Sequence, residues 1–168
     1  IERHRLPMTP FDNLIAAFIQ DQTVTRYANW DEVHGYCVNS ANPVGRLVLY
    51  LCGYRDEERQ RLSDATCTAL QLANFWQDVA VDLAKDRIYL PRHLFDKHGY
   101  TEQQLFRREA APAFLALMRE AVDHAEALFH QGLPLVRLLN RRLALDIDLF
   151  SRGGLRVLAK IRAQGYDV

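Results

Sequence analysis

The chain has 168 residues, 49% of them hydrophobic and 25% charged, the balance of an ordinary globular protein. Lys+Arg and Asp+Glu both number 21, so no net charge draws the molecule onto a nucleic acid. No apolar run approaches the ~20 residues of a membrane span, no signal-peptide pattern is present, and Cys37, Cys52 and Cys67 lack metal-type spacing, which favours a cytoplasmic, reducing setting. The length predicts one domain over residues 1–168. Its first residue is Ile1 rather than Met, as expected of a processed or trimmed piece.

Taken in order, the opening IERHRLPMTPF is proline-broken and predicts an irregular approach. From Pro10 onward, Phe11, Leu14, Ile15, Phe18 and Ile19 recur at helical spacing and predict an amphipathic helix with that stripe inward. Asp21 to Asn29 reads as a connection, and a short helix begins near Asp31. In YCVNSANPVGRLVLYLCGY, Pro43 predicts a kink or restart, and Gly45 allows a ligand or a neighbouring helix close to the backbone. A long helix is predicted from Glu57 to Leu83, then short turns over 91–110. A further helix runs from Pro112 to the Gly132/Pro134 stop, another from Leu135 to Phe150, and Gly153-Gly154 separates a last one, Leu155 to Ala163. The six histidines read as surface or capping residues. Arg137, Arg141 and Arg142 read as solvated. The fold class is all-α, a bundle of about six to eight helices.

The chemistry concentrates in LQLANFWQDVAVDLAKDRIYLP, residues 70–91. Asn74, Asp78 and Asp82 are four apart, which stacks three oxygen-bearing side chains on one helix face about 6 Å apart. Their neighbours are apolar, so the helix is expected to be largely buried. Buried carboxylates require a partner or a metal. Two readings stand on spacing alone: a Mg²⁺–diphosphate site with Arg87 beside it, or acids paired structurally with arginines elsewhere.

The same string resembles the second aspartate-rich signature of the squalene/phytoene synthase family, with Gln71, Asn74, Asp78, Asp82, Arg87, Tyr89 and Pro91 at its fixed positions. Gln77 stands where many relatives have Arg, and Cys67 where a small residue, usually Gly, is common. Tyr36, Cys37, Ala41, Val44 and Gly45 match the family's Tyr-Cys segment. SANPVGR, RHRLP and ALQLANFWQDVA resemble its bacterial hopanoid-pathway branch, the type C squalene synthases, which make hydroxysqualene.

The resemblance implies an isoprenoid-synthase bundle of which this chain is the C-terminal part, without the N-terminal helices that carry a first aspartate-rich motif. It implies metal ligation by Asn74, Asp78 and Asp82, and substrate contacts from Gln71, Asn74, Arg87, Tyr89, Ala41, Asn42, Val44 and Gly45. Tyr36 falls near the reacting carbons, and Phe75, Trp76 and the Val44–Leu51 stripe line an apolar tunnel. The implied reaction is Mg²⁺-assisted ionisation of farnesyl-derived presqualene diphosphate with water capture to hydroxysqualene. Asn42, where relatives carry Gly, is expected to position that water. The alternatives are head-to-head condensation to presqualene diphosphate or phytoene and, in another class, a non-catalytic assembly protein of the same fold. A peripheral inner-membrane location and other squalene-pathway enzymes as partners are further implications. With half the diphosphate clamp present, these 168 residues alone are predicted to turn over little or no substrate; measurable product from the purified fragment contradicts this.

Overall fold

The structure is a computed structural model describing Ile1 and residues 4–168; Glu2 and Arg3, within the expected irregular opening and the RHRLP string, lie outside the described residues. Helix α1 spans Thr9–Gln20, α2 Trp30–Ser40, α3 Asn42–Leu51, α4 Glu57–Gln77 and α5 Val79–Leu83. Two short helices follow, α6 (Arg92–His98) and α7 (Glu102–Phe106). Then come α8 (Pro112–Gly132), a 3-10 turn (Leu133–Leu138) and α9 (Arg141–Ala163). The all-α expectation holds. Among the described residues there are nine α-helices rather than six to eight, because the long helix breaks at Asp78 and 91–110 coils into two short ones.

Helix α4 is the hub, packed by α2, α3, α5, α8, α9 and the 3-10 turn. It starts where the Asp56 carboxylate accepts from the Arg59 N–H at 3.0 Å, with Glu57 and Glu58 favourably placed in the first turn. Its inner face buries Leu62, Ala69, Leu72, Ala73 and Trp76 against α8, which contributes Leu117, Met118, Ala121, Val122, Ala125 and Phe129. Pro43 marks a restart: α2 ends at Ser40 and α3 begins at Asn42 with proline in its first turn, where a missing N–H costs nothing.

Three expectations are corrected. The α1 stripe does not turn inward. Ile15, Phe18 and Ile19 are 56%, 65% and 66% exposed, and the helix buries Pro10 and Ala17 instead. Periodicity marks an apolar face without saying what covers it. Gly153-Gly154 does not separate two helices, since α9 runs through it; a Cβ on Gly154 would strike the Phe129 ring, so that glycine serves close helix packing. The Leu135–Phe150 helix is a 3-10 turn followed by a fresh start at Asn140, whose side chain caps the Leu143 N–H at 3.1 Å.

The histidines also differ from expectation. His34 of α2 and His124 of α8, 90 residues apart in sequence, meet with their Nε2 atoms 2.9 Å apart. The ring centroids are 5.0 Å apart, longer than the N···N distance by about one ring radius on each side. The imidazoles therefore meet nitrogen to nitrogen, and the ring whose Nε2 carries hydrogen donates to the other. Trp30 stacks on His124 with centroids 3.9 Å apart. Burial lowers the pKa of both rings; for His124 the neighbouring His34 adds to burial and brings it to about 4, with Glu120 opposing and His93 adding. Asp31 opposes the shift at His34.

Gly154→Val is expected to destabilise the fold by about 1–3 kcal/mol by overpacking against Phe129, read from denaturant unfolding. A histidine held neutral in the fold takes a proton more readily when unfolded. Stability should therefore fall as pH drops from about 6.5 to about 4. His124→Gln, which retains a hydrogen-bonding partner for His34, should flatten the dependence of melting temperature on pH in that window; superimposable profiles contradict the role assigned to the pair.

Candidate active site

Asp78 terminates α4 in a non-helical conformation (φ −103°, ψ 18°), yet its N–H still donates to Asn74 O at 2.9 Å and its carbonyl accepts from the Asp82 N–H at 2.8 Å. The chain therefore bends without losing its hydrogen bonds, and Asp78 and Asp82 stay one turn apart. The expected burial is corrected here: Asn74 is exposed, while Asp78 and Asp82 are half-buried. The apolar positions between them bury the opposite side of the helix, and the oxygen-bearing side opens from a largely covered Asp82 to an exposed Asn74.

The alternative of acids locked to arginines finds no support. Asp78 has no ion pair among the described residues, and the nearest cation to Asp82 is Lys85, Nζ to Oδ1 3.9 Å. Burial raises the Asp82 pKa, and repulsion from Asp78 adds to it; Lys85 and Arg87 pull the other way. Two carboxylates that repel one another and lack a strong counter-charge form an all-oxygen donor set suited to a divalent cation. Among the described residues, no group of three or more His, Cys, Asp or Glu side chains stands ready to hold a metal. The donors on this face are two carboxylates and one amide.

Arg87 and Tyr89 arrive from the turn after α5. The carbonyl of Asp82 accepts from both the Lys85 and Arg87 N–H groups at 2.9 Å, which folds the chain back beside the acids. Arg26 fastens this turn, reaching the Asp86 carboxylate at 2.6 Å and Glu102 at 3.0 Å. Backbone bonds from Ile88 N–H to Thr25 O (3.0 Å) and Arg92 N–H to Tyr27 O (2.9 Å) then zip residues 25–28 along 88–92. The result is an aromatic nest. Phe75 stacks on Tyr89 with centroids 3.6 Å apart, and Tyr27 and Tyr36 sit 5.7 and 5.8 Å from Tyr89. Burial, reinforced by Tyr89 and the Asp21 carboxylate, holds the Tyr36 phenol well above its usual range, so it stays protonated.

Arg87 is fixed at this nest. Its Nη2 donates to Asp21 O at 2.6 Å, its Nη1 donates to the Tyr89 hydroxyl at 3.3 Å, and Nη1 lies 3.6 Å from Asp21 Oδ1. Asp21 and Tyr27 are the residues that sequence reasoning missed. Asp21 reads as a helix end and lies 66 residues from Arg87, so no local spacing signals it.

The structure thus gathers Asp78, Asp82, Arg87, Tyr89 and Tyr36, with Asn74 and Gln71 continuing up the same face of α4. The Ala41–Gly45 group lies elsewhere. Asn42 is buried, and its Oδ1 accepts from Thr68 Oγ1 at 3.0 Å, ten residues or about 15 Å along α4 from Asp78. Its carbonyl oxygen therefore joins α3 to α4 and is already engaged, which counts against its positioning a water. At Gly45 the close neighbour is a helix rather than a ligand, since a Cβ there would strike Ser63 and Cys67. Ala41 is the hinge between α2 and α3, and Val44 is exposed. Trp76 is wholly buried in the core, directly behind Phe75. Val44 and Leu51 remain available as an apolar wall.

Comparison with known proteins places the chain in a family and a fold. The family profile described as Squalene/phytoene synthase matches residues 1–168. Hydroxysqualene synthase of Rhodopseudomonas palustris is 33% identical over 165 residues, 97% of this chain and 56% of that protein. Phytoene synthase of Thermus thermophilus is 32% identical, covering 99% of this chain and 57% of that protein. Among solved structures, squalene synthase HpnC of Alicyclobacillus acidocaldarius is 46% identical with a TM-score of 0.97, covering 99% of this chain and 63% of the other. A dehydrosqualene synthase at 23% identity and TM-score 0.87 shares the fold. The chain thus spans a little over half the length of the curated relatives it matches, with its helices in the same isoprenoid-synthase arrangement as the HpnC structure. It belongs to the squalene/phytoene synthase family, whose members are enzymes acting on prenyl diphosphates.

Proposed function

We propose that this chain is the C-terminal half of a synthase that ionises a farnesyl-derived diphosphate, converting presqualene diphosphate to hydroxysqualene in hopanoid biosynthesis. The observation that carries the reading is the Asp78/Asp82 couple, answered among the described residues only by Lys85 at 3.9 Å, set beside a fixed Arg87 and a buried aromatic nest. Its resemblance to the hydroxysqualene synthases of Rhodopseudomonas palustris and Sinorhizobium fredii supports this choice of product.

Asn74, Asp78 and Asp82 would hold Mg²⁺, which supplies Lewis-acid stabilisation to a leaving diphosphate when bound. The chain's own residues do the rest. Arg87, anchored on Asp21 and Tyr89, offers a cation that needs no reorganisation as charge develops on the leaving group. Tyr36, beside the Phe75–Tyr89 stack, would offer its ring to the carbocation left behind. The exposed apolar residues Ile15, Phe18 and Ile19 of α1 and Val44 and Leu51 of α3 would offer apolar surface to the hydrocarbon chain. The opposite wall would come from the portion of its relatives' length that this chain does not span. Water then captures the cation to give the alcohol, and no reductant is needed.

Among the described residues no helix is long and apolar enough to cross a membrane. So apolar a substrate is proposed to reach the protein at the inner-membrane surface, delivered or accepted there by other enzymes of squalene metabolism. The second reading, head-to-head condensation of prenyl diphosphates, rests on the likeness to phytoene synthase. A non-catalytic scaffold is disfavoured, because it has no use for two weakly compensated carboxylates side by side.

With the full-length protein, inorganic pyrophosphate should raise the melting temperature only when Mg²⁺ is present. Asp82→Asn should abolish that shift and lower kcat by about 100-fold or more. Product analysis with presqualene, farnesyl and geranylgeranyl diphosphates separates the two enzymatic readings: hydroxysqualene from the first supports the proposal, and phytoene from the last supports its rival. Stabilisation by pyrophosphate without Mg²⁺ contradicts the assigned donors.

A further inference from the structure

Helix α9 turns outward a face that the site does not use. Leu145, Leu149 and Phe150 are 59%, 57% and 59% exposed, while the opposite face buries Leu143, Ser151, Gly154, Leu158 and Ile161 against the bundle. At 3.6 residues per turn, Arg141, Arg142, Leu145, Leu149, Arg152 and Arg156 fall within one arc of about 100°, with Phe150 on its flank. All of them are exposed. Arg141, Arg142 and Arg156 have no ion pair among the described residues, and Arg152 meets only Asp148 of its own helix, at 2.7 Å. Between positions 141 and 160 five basic residues stand against two acids, in a chain whose charges otherwise balance.

We propose that the outward face of α9 is the surface by which this protein docks on an anionic membrane, its arginines on headgroup phosphates and its leucines in the acyl boundary. Arg141 and Arg142 occupy the first turn of α9, where the helix dipole repels cations, and no acid accompanies them there. Their placement costs the helix local stability and is offset by a negatively charged partner. A protein helix laid over the leucines would bury the neighbouring guanidinium groups without counter-charges, which is costly; a layer of lipid phosphates supplies those charges and leaves the apolar side chains somewhere to go. The outward stripe of α1 differs: Ile15, Phe18 and Ile19 share that helix with one charged residue, Asp12, and no base, so nothing there holds a headgroup. This docking surface deepens the membrane-surface reading above and rests on it for its purpose, the delivery of an apolar substrate.

The test follows co-sedimentation of the full-length protein with vesicles of phosphatidylcholine, alone or mixed with phosphatidylglycerol. The unaltered protein should bind the anionic vesicles about 10-fold or more tightly than the neutral ones, and added salt should erode the difference. Arg142→Gln with Arg156→Gln should weaken binding by about 10- to 30-fold. Leu145→Ser with Leu149→Ser should weaken it by about 10-fold. Both pairs should keep the melting temperature, and the kcat on detergent-dispersed presqualene diphosphate, which separates docking from folding and catalysis. Equal binding to both kinds of vesicle, or full binding by either folded pair, overturns the proposal. So does a melting temperature lowered by more than about 4 °C in the double serine variant, which would mean that protein covers the face, or a dimer that this variant dissolves. A protein that docks through α9 yet makes no product from presqualene diphosphate overturns the functional reading and leaves the docking surface standing.

Discussion

Two carboxylates one helical turn apart repel each other, and the described residues answer them with only a loose lysine and the charge of Arg87. Asp78 has no ion pair among the described residues, and Asp82 has only a lysine at 3.9 Å. Burial raises the Asp82 pKa, and the repulsion from Asp78 adds to that. An arrangement of this kind lowers the stability of a protein unless something binds there. The rest of the molecule can be understood as the apparatus that sustains it. Helix α4 is tied down on several sides, its bend at Asp78 keeps both flanking hydrogen bonds, and the following turn is stapled by Arg26 so that Arg87 returns beside the acids.

Around that pair the site divides into two chemical zones. Toward the acids lie the fixed charge of Arg87 and the oxygen donors; toward α2 lie Phe75, Tyr27, Tyr36 and Tyr89. Departure of a diphosphate from a hydrocarbon produces an anion and a cation together. A site with a charged pole against an aromatic pole suits both at once. Asp21 holds Arg87, which also donates to Tyr89, so a residue at the end of α1 fixes the charged pole against the aromatic one.

Much of the fold was legible in the sequence because long helices with one apolar face announce themselves. The 57–77 and 112–132 helices, the restart at Pro43 and the stop at Gly132 all follow from periodicity and proline or glycine chemistry. The acids, Arg87 and Tyr89 were legible too, because a single stretch carries them. What escaped depends on distant partners. The stripe of Ile15, Phe18 and Ile19 looks like core, yet no described element packs on it. Gly153-Gly154 looks like a breaker until the Phe129 ring is seen to need the space of a missing Cβ. His34 and His124 meet across 90 residues, and Asp21 meets Arg87 across 66, distances at which local pattern carries no information.

The most direct test locates a cation. Crystals of the full-length protein grown with Mn²⁺ and a non-hydrolysable farnesyl diphosphate analogue would reveal the ion by its anomalous scattering. The expected peak lies about 2.1 Å from carboxylate oxygens of Asp78 and Asp82, with the diphosphate completing its shell. An analogue bound elsewhere, or bound here with no metal on either aspartate, contradicts the role given to this pair.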